Sequence, residues 1–407
     1  MRLLWLTLAD PEPPTNGQFI YSNGLIHGAV AAGATVHVVG LTRPESPSRD
    51  DGIAERLSWS LAKHDPRSPL RSLPSRMPIM AARTMTRDLR GRVAAAIDRP
   101  GWDAVVFDSL APGWALSLVR RYGARAANRP RLVYIAHNHE ANVARMLAAD
   151  EPRRLRRIVK QADAVRVARL EHALVMAADL VTSNSPDDCA LFRRVQPTVV
   201  FLPPGYDGPR TETRTITTAT PRRALIVGSF DWSAKRQSLE QFLAVADRQF
   251  AAAGIELLIV GNAEAAYLAR LRSGMRATQF TGRVDDVAPY FHQARLALVP
   301  DRLGGFKLKT LDYVFNRLPI LAITGSAPGL PLRDGESIVL AEDPAALSRA
   351  VLALIDDIES LNRIQDTAYQ ACRNRFDWLS IGERLLAAIA KGTTLEGEAA
   401  PLAHAPG

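Results

Sequence analysis

The chain has 407 residues, more than one ordinary core accommodates and enough for two domains of about 150–200 residues each. With 47% hydrophobic and 23% charged residues it has the profile of a soluble globular protein, and no run of about 18 apolar residues offers a membrane span. Two distant cysteines, Cys189 and Cys372, exclude a disulfide framework or zinc site, while a net charge of +9 asks for an anionic partner.

The N-terminal run "MRLLWLTLAD" stops at "PEPP" without a cleavable leader pattern. It reads as a first strand, so a cytoplasmic protein is expected. Short aliphatic runs then recur: "TVHVVGL", "AVVFDSL", "RLVYIAHN", "LVTSN" and "TVVFLPP". Between them the spacing predicts helices over 17–32, 81–97, 112–121, 152–178 and 186–194, with 44–80 as loop. This alternation predicts a parallel sheet covered on both faces. The Pro- and Thr-rich stretch 206–222 reads as a linker, after which the rhythm restarts. Strands "RALIVGS", "ELLIVG", "ATQFTG", "LALVP", "ILAIT" and "SIVLAE" alternate with helices over 237–252, 263–273, 285–293, 306–316 and 344–357.

The expected architecture is therefore α/β, with two doubly wound Rossmann-like domains, 1–205 and 223–376, facing an interdomain cleft. A helix over 377–391 is expected to pack back on the first domain, and 392–407 has the composition of a disordered tail.

The segment from Leu296 to Thr324 carries the most chemistry. Its two apolar runs read as strands, joined through Gly304 and Gly305 to a helix with apolar positions at Phe306, Leu308, Leu311 and Phe315. Free N–H groups and the helix dipole make such a turn an anion site, and Lys307 and Lys309 add positive charge where lysine is unfavourable without an anion. In the first half, Asp108 ends one strand, and His137 and Glu140 follow the next, at the carboxyl ends where ligands of such sheets gather. One of these groups is the candidate base. The plain alternative for "AHNHE" is a helix-capping cluster. Trp232 is placed to stack on a base or sugar, although core packing is the commoner fate of tryptophan.

The chain resembles GT-B glycosyltransferases of the retaining, nucleotide-sugar-dependent family 4-like group. The resemblance rests on the N-terminal strand, loop, helix and "GATVHVV"; on "YIAHNHEANVARM"; on "EHALVMAADLVTSNSPDDCALFRR"; on "PPGYD"; and above all on the opening of the 306–316 helix followed by "NRLPI". It implies that Asn16 and Gly17 lie near the donor phosphates, that Gly304, Gly305, Lys307 and Lys309 hold the diphosphate, and that Asp312 receives the ribose hydroxyls. The sequence departs from the family at three places. Gly305 stands where relatives carry a first acid, and Asp312 is one methylene shorter than the usual Glu. Ser229 replaces an arginine after the first C-domain strand, with Lys235, Arg236, Lys307 or Lys309 as substitutes for the lost charge.

The resemblance implies transfer of a sugar from a nucleotide-diphosphate donor to a glycan or lipid-linked acceptor in cell-envelope or exopolysaccharide synthesis. With no suitable Asp-x-Asp element, no obligatory metal or other cofactor is expected. Two arginine-rich stretches, 71–92 and 151–172, have the helical interleaving of charge and apolar residues that suits an anionic bilayer. Their plain alternative is a solvated helix face. Nucleic acid is not expected as a partner, because no aromatic platform accompanies the arginines. The competing functions are a sugar-nucleotide 2-epimerase, a degenerate binding protein and, more weakly, a dehydrogenase, which lacks its G-x-G-x-x-G.

Overall fold

The structure, a computed structural model, describes residues 1–46, 55–63, 75–125, 128–230, 233–301 and 305–391. It divides into two units, Met1–Gly205 with 376–391, and Tyr206–Arg375. The expected tail 392–407, Trp232 and Gly304 lie outside the described residues.

Unit 1 is built on β1 (Arg2–Ala9), β2 (Thr35–Leu41), β3 (Leu57–Ala62), β4 (Ala104–Asp108), β5 (Arg131–Ala136), β6 (Leu180–Ser183) and β7 (Val199–Phe201). These form one sheet in the order β3-β2-β1-β4-β5-β6-β7, with every pairing parallel. Alternation along the strands sorts side chains into two cores. Leu4, Leu6, Val105, Phe107 and Tyr134 share one, and Leu3, Trp5, Val106, Val133 and Ile135 share the other. Both faces are thus covered, which is why these strands read as continuous apolar runs.

The helices of unit 1 are α1 (Gly17–Ala31), α2 (Ile79–Thr84), α3 (Arg87–Ile97), α4 (Leu116–Gly123), α5 (Glu140–Ala149), α6 (Arg154–Ala177), α7 (Pro186–Phe192) and α14 (Trp378–Lys391), the last joined to the rest through unit 2. The predicted helix over 81–97 is two helices, because Thr86 adopts an extended conformation and caps α3 by accepting from Leu89 N at 3.1 Å. The stretch read as loop over 44–80 contains β3. Helix α14 covers the second core with Trp378, Ile381 and Leu385 and crosses α1 at glycines. A Cβ on Gly382 would lie 2.1 Å from Gly28 O, and one on Gly28 would lie 2.4 Å from Trp378 O. Only the missing side chains allow the two backbones to come so close.

Unit 2 contains β8 (Arg223–Val227), β9 (Glu256–Val260), β10 (Thr278–Gly282), β11 (Leu296–Val299), β12 (Ile320–Ile323) and β13 (Val339–Ala341), in the order β10-β9-β8-β11-β12-β13. Its helices are α8 (Ser233–Ala253), α9 (Ala265–Arg272), α10 (Ala288–His292), α11 (Leu308–Phe315), α12 (Pro344–Leu354) and α13 (Ile358–Cys372). Helix α13 is absent from the sequence-based prediction; its apolar stripe of Leu361, Ile364, Ala368 and Cys372 is buried between charged residues. The stretch 206–222, expected as a linker, is packed into this unit. Thr211 N donates to Phe315 O at 2.8 Å, Arg214 reaches Arg317 O at 2.8 Å, and Ile216 is only 1% exposed.

Candidate functional site

In unit 2 the strand order reverses between β8 and β11, and sheets of this kind receive ligands at the carboxyl end of that crevice. Asp301 follows β11 there and is buried. Lys309 Nζ lies 2.7 Å from Asp301 Oδ1, and Lys307 Nζ lies 3.6 Å from Oδ2. Lys235, near the start of α8, acts on the same pair through its charge. Burial raises the Asp301 carboxyl, but Lys309 and Lys307 outweigh it and hold the group below the ordinary carboxylate range. Burial pushes Lys307 down to about 8; Asp301 opposes this, and the neighbouring Lys309 and Lys235 reinforce it. Lys307 and Lys309 thus share the Asp301 carboxylate within the field of Lys235, a concentration of positive charge that suits an anion.

The local backbone adds to that excess. Lys307 is the N-cap of α11, not a residue of its first turn, and no side chain caps the helix. The backbone dipole at this terminus has the same sign as the charge that the lysines carry in full. Gly305 lies two residues before this cap, and Ser229 is exposed beyond β8. Asp312 lies three residues after Lys309 and so on the same helix face. Burial pushes its carboxyl up to about 6, and a hydrogen bond from the Tyr206 hydroxyl pulls it back. Tyr206 itself stacks on Phe315 with ring centroids 4.7 Å apart.

Unit 1 has its reversal between β1 and β4. Asp108, the last residue of β4, is fully buried and accepts from Trp5 Nε1 at 3.0 Å and from His137 Nε2 at 2.6 Å. Burial raises this carboxyl, but the His137 hydrogen bond and charge, helped by Trp5, hold it below its usual value. In a neutral imidazole this pairing places the proton on Nε2 and leaves Nδ1 as the acceptor. Tyr21 meets the His137 ring edge-on at 5.2 Å, and its hydroxyl donates to Leu202 O at 2.6 Å. The next residue, Ser109, has φ 77° and a buried hydroxyl with no hydrogen-bond partner. A non-glycine residue held there stores strain of the kind found beside ligand sites.

The segment after His137 combines the two readings of its sequence. His139 caps α5, and Glu140 opens its first turn. Glu140 is nevertheless raised by burial, with Asn138 Nδ2 at 3.3 Å as its hydrogen-bond donor. Two groups missed in the sequence hold this segment. Glu171, 2% exposed, accepts from Glu140 N at 2.8 Å and Ala141 N at 2.9 Å, and burial pushes it up to about 7. Asp188 accepts from His139 N at 3.0 Å and is pushed up to about 6 by burial. The signal for Glu171 was present: it sits on the buried stripe of α6 formed by Val167, Leu170 and Leu174, where an unpaired acid is too costly to place.

Asn16 and Gly17 begin α1 after β1. The Asn16 side-chain oxygen accepts from Phe19 N at 3.1 Å, so Asn16 is the N-cap, and Arg43 staples the preceding loop through Asp10 O at 2.7 Å and Thr15 Oγ1 at 3.0 Å. Among the described residues, no group of three or more His, Cys, Asp or Glu side chains is placed to hold a metal ion.

Residues 221–357 match the family model for glycosyl transferases group 1. Unit 2 carries a group 1 glycosyltransferase domain. The chain has the GT-B fold along its length, as similar solved structures show. Sucrose-phosphate synthase from Thermosynechococcus elongatus has a TM-score of 0.68 at 20% identity, over 95% of this chain and 98% of that one. WaaG, a glycosyltransferase involved in lipopolysaccharide biosynthesis, has a TM-score of 0.62 at 16% identity, over 96% and 100%. HepE from Anabaena, solved with UDP and glucose, has a TM-score of 0.61 at 15% identity, over 96% and 100%. No curated protein sequence matches the chain.

Proposed function

We propose that this glycosyltransferase moves a sugar, with retention of configuration, from a nucleoside diphosphate sugar to a glycan or lipid-linked acceptor of the cell envelope or an exopolysaccharide. The observation that carries the proposal is the pairing of Lys307 and Lys309 with the buried carboxylate of Asp301, within the field of Lys235, at the crevice of unit 2. The leaving diphosphate gains negative charge as its bond to the sugar's anomeric carbon breaks, and fixed ammonium groups with the positive end of a helix dipole stabilise it without reorganising. Lys307, Lys309 and Gly305 are assigned to the diphosphate and Asp312 to the ribose, with Lys235 supplying the charge absent at Ser229. UDP in the related HepE structure supports a nucleotide donor of this class.

In unit 1, His137 is assigned to a sugar or acceptor hydroxyl through Nδ1, with Asp108 fixing its ring. The arginines of α6, together with exposed Leu155 and Ile158, support adsorption to an anionic membrane face. Release of nucleoside diphosphate from a donor panel, measured with wild type and Lys307→Ala, tests the reading. A fall of about 100-fold or more is expected, the magnitude typical of losing one charge-stabilising group. Equal release by both proteins overturns the placement, and donor turnover without any acceptor points to an epimerase.

A further inference from the structure

Helices α5 and α6 pack as an antiparallel hairpin, yet the space between them is incompletely filled. An open groove of about 690 Å³ runs along their interface, a size within the range of small-molecule sites. Ala148 on α5 and Ala164 and Ala168 on α6 lie along it, and Val165, 50% exposed, forms an apolar edge. Small side chains on both helices leave room that leucines would occupy.

The two ends of the groove differ in chemistry. One end carries Arg145 and Arg169. Neither has a carboxylate partner among the described residues; Arg145 donates only to Ala141 O at 3.1 Å and Asn142 Oδ1 at 2.6 Å. This end lies one helical turn from Ala141, whose N–H, with that of Glu140, is held by Glu171 beside the His137 segment. The other end leads away toward the turn that starts α6, where Leu155 is 81% exposed and Ile158 57% exposed. An apolar trough with cations at the end nearest the candidate base matches a molecule with a hydrocarbon tail and an anionic head.

We propose that the α5–α6 groove seats the hydrocarbon chain of a lipid-linked acceptor, with its phosphate held between Arg145 and Arg169. The inference narrows the acceptor class and rests on the transfer reading for its role, although the binding itself does not. A helical peptide would not require the paired arginines at one end, and a bilayer surface would not require a groove.

Calorimetric titration of the full chain with dodecyl phosphate below its micelle concentration, butyl phosphate and dodecanol tests the proposal in the absence of donor. Dodecyl phosphate is expected to bind about tenfold or more tighter than either of the others. Ala168→Trp fills the trough and is expected to weaken dodecyl phosphate about tenfold or more while leaving amide-exchange protection in β1, β4 and β5 unchanged, which reports that unit 1 is still folded. Arg169→Glu, at an exposed position, is expected to weaken dodecyl phosphate but not dodecanol. Equal affinities for dodecyl and butyl phosphate overturn the proposal. So does dodecyl phosphate binding that survives Ala168→Trp, even if Arg169→Glu weakens adsorption to anionic vesicles, because the arginines then serve the bilayer alone. Failure here leaves the Lys307 release experiment unaffected, so the two readings fall separately.

Discussion

Lys307 is an ammonium placed where water barely reaches it, with two further ammonium groups nearby and the Asp301 carboxylate beside it. Its folded value, about 8, lies below the ordinary 10.5, so between these values the unfolded chain binds more protons than the folded one. This group's contribution to stability therefore rises with pH across that window. Diphosphate affinity has the opposite sign, because an anion needs the charged form. Affinity for UDP, measured by calorimetry across the alkaline range, is expected to stay level below about 8 and to fall above it, with Lys307→Arg moving the fall to higher pH. An affinity indifferent to pH through this range overturns the assignment of Lys307. Both lysines stand out in the sequence by residue type and position alone. Asp301 does not, because an acid after "LALVP" has the same local signature as any polar strand end, and only the fold returns two lysines to it.

Helix α5 depends on a carboxylate from a different helix. Glu171 occupies the first two N–H groups of α5, and alanine there leaves both unpaired in a buried place, a loss of about 1–3 kcal/mol expected in urea unfolding. Protonation adds a second signature. The folded value of about 7 lies above the ordinary 4.5, so the folded state binds more protons in between and stability falls as pH rises through that window. Glu171→Gln is expected to flatten this slope, and an unchanged slope assigns the titration to another group. Elements with strong periodicity were legible throughout both units. The lost ones have physical reasons: β3 sits at a sheet edge with half-buried serines and tryptophan, and α13 hides a narrow apolar stripe among charges.

At the scale of the whole molecule, the chain returns to its first unit after completing the second. The alternation of buried runs and helices made two doubly wound sheets legible, and the amphipathic pattern of 378–391 pointed to packing, but not to the glycine crossing, which depends on residues 350 positions apart meeting backbone to backbone. That crossing makes α14 part of the unit 1 core and not an appendage. Trp378, Ile381, Leu385 and Ile389 are all 9% exposed or less and cover Leu25, Ile26 and the second face of the sheet. At about 1.5–3 kcal/mol for each buried side chain, their loss approaches the entire stability of an ordinary domain, about 5–15 kcal/mol. A chain ending at Arg375 is therefore expected to lose amide-exchange protection in β1 and α1 while β8 and β11 keep theirs. Protection retained in β1 would show that unit 1 closes its core without α14. Loss in β8 as well would show that the two units unfold as one, because α14 makes its core contacts in unit 1 only.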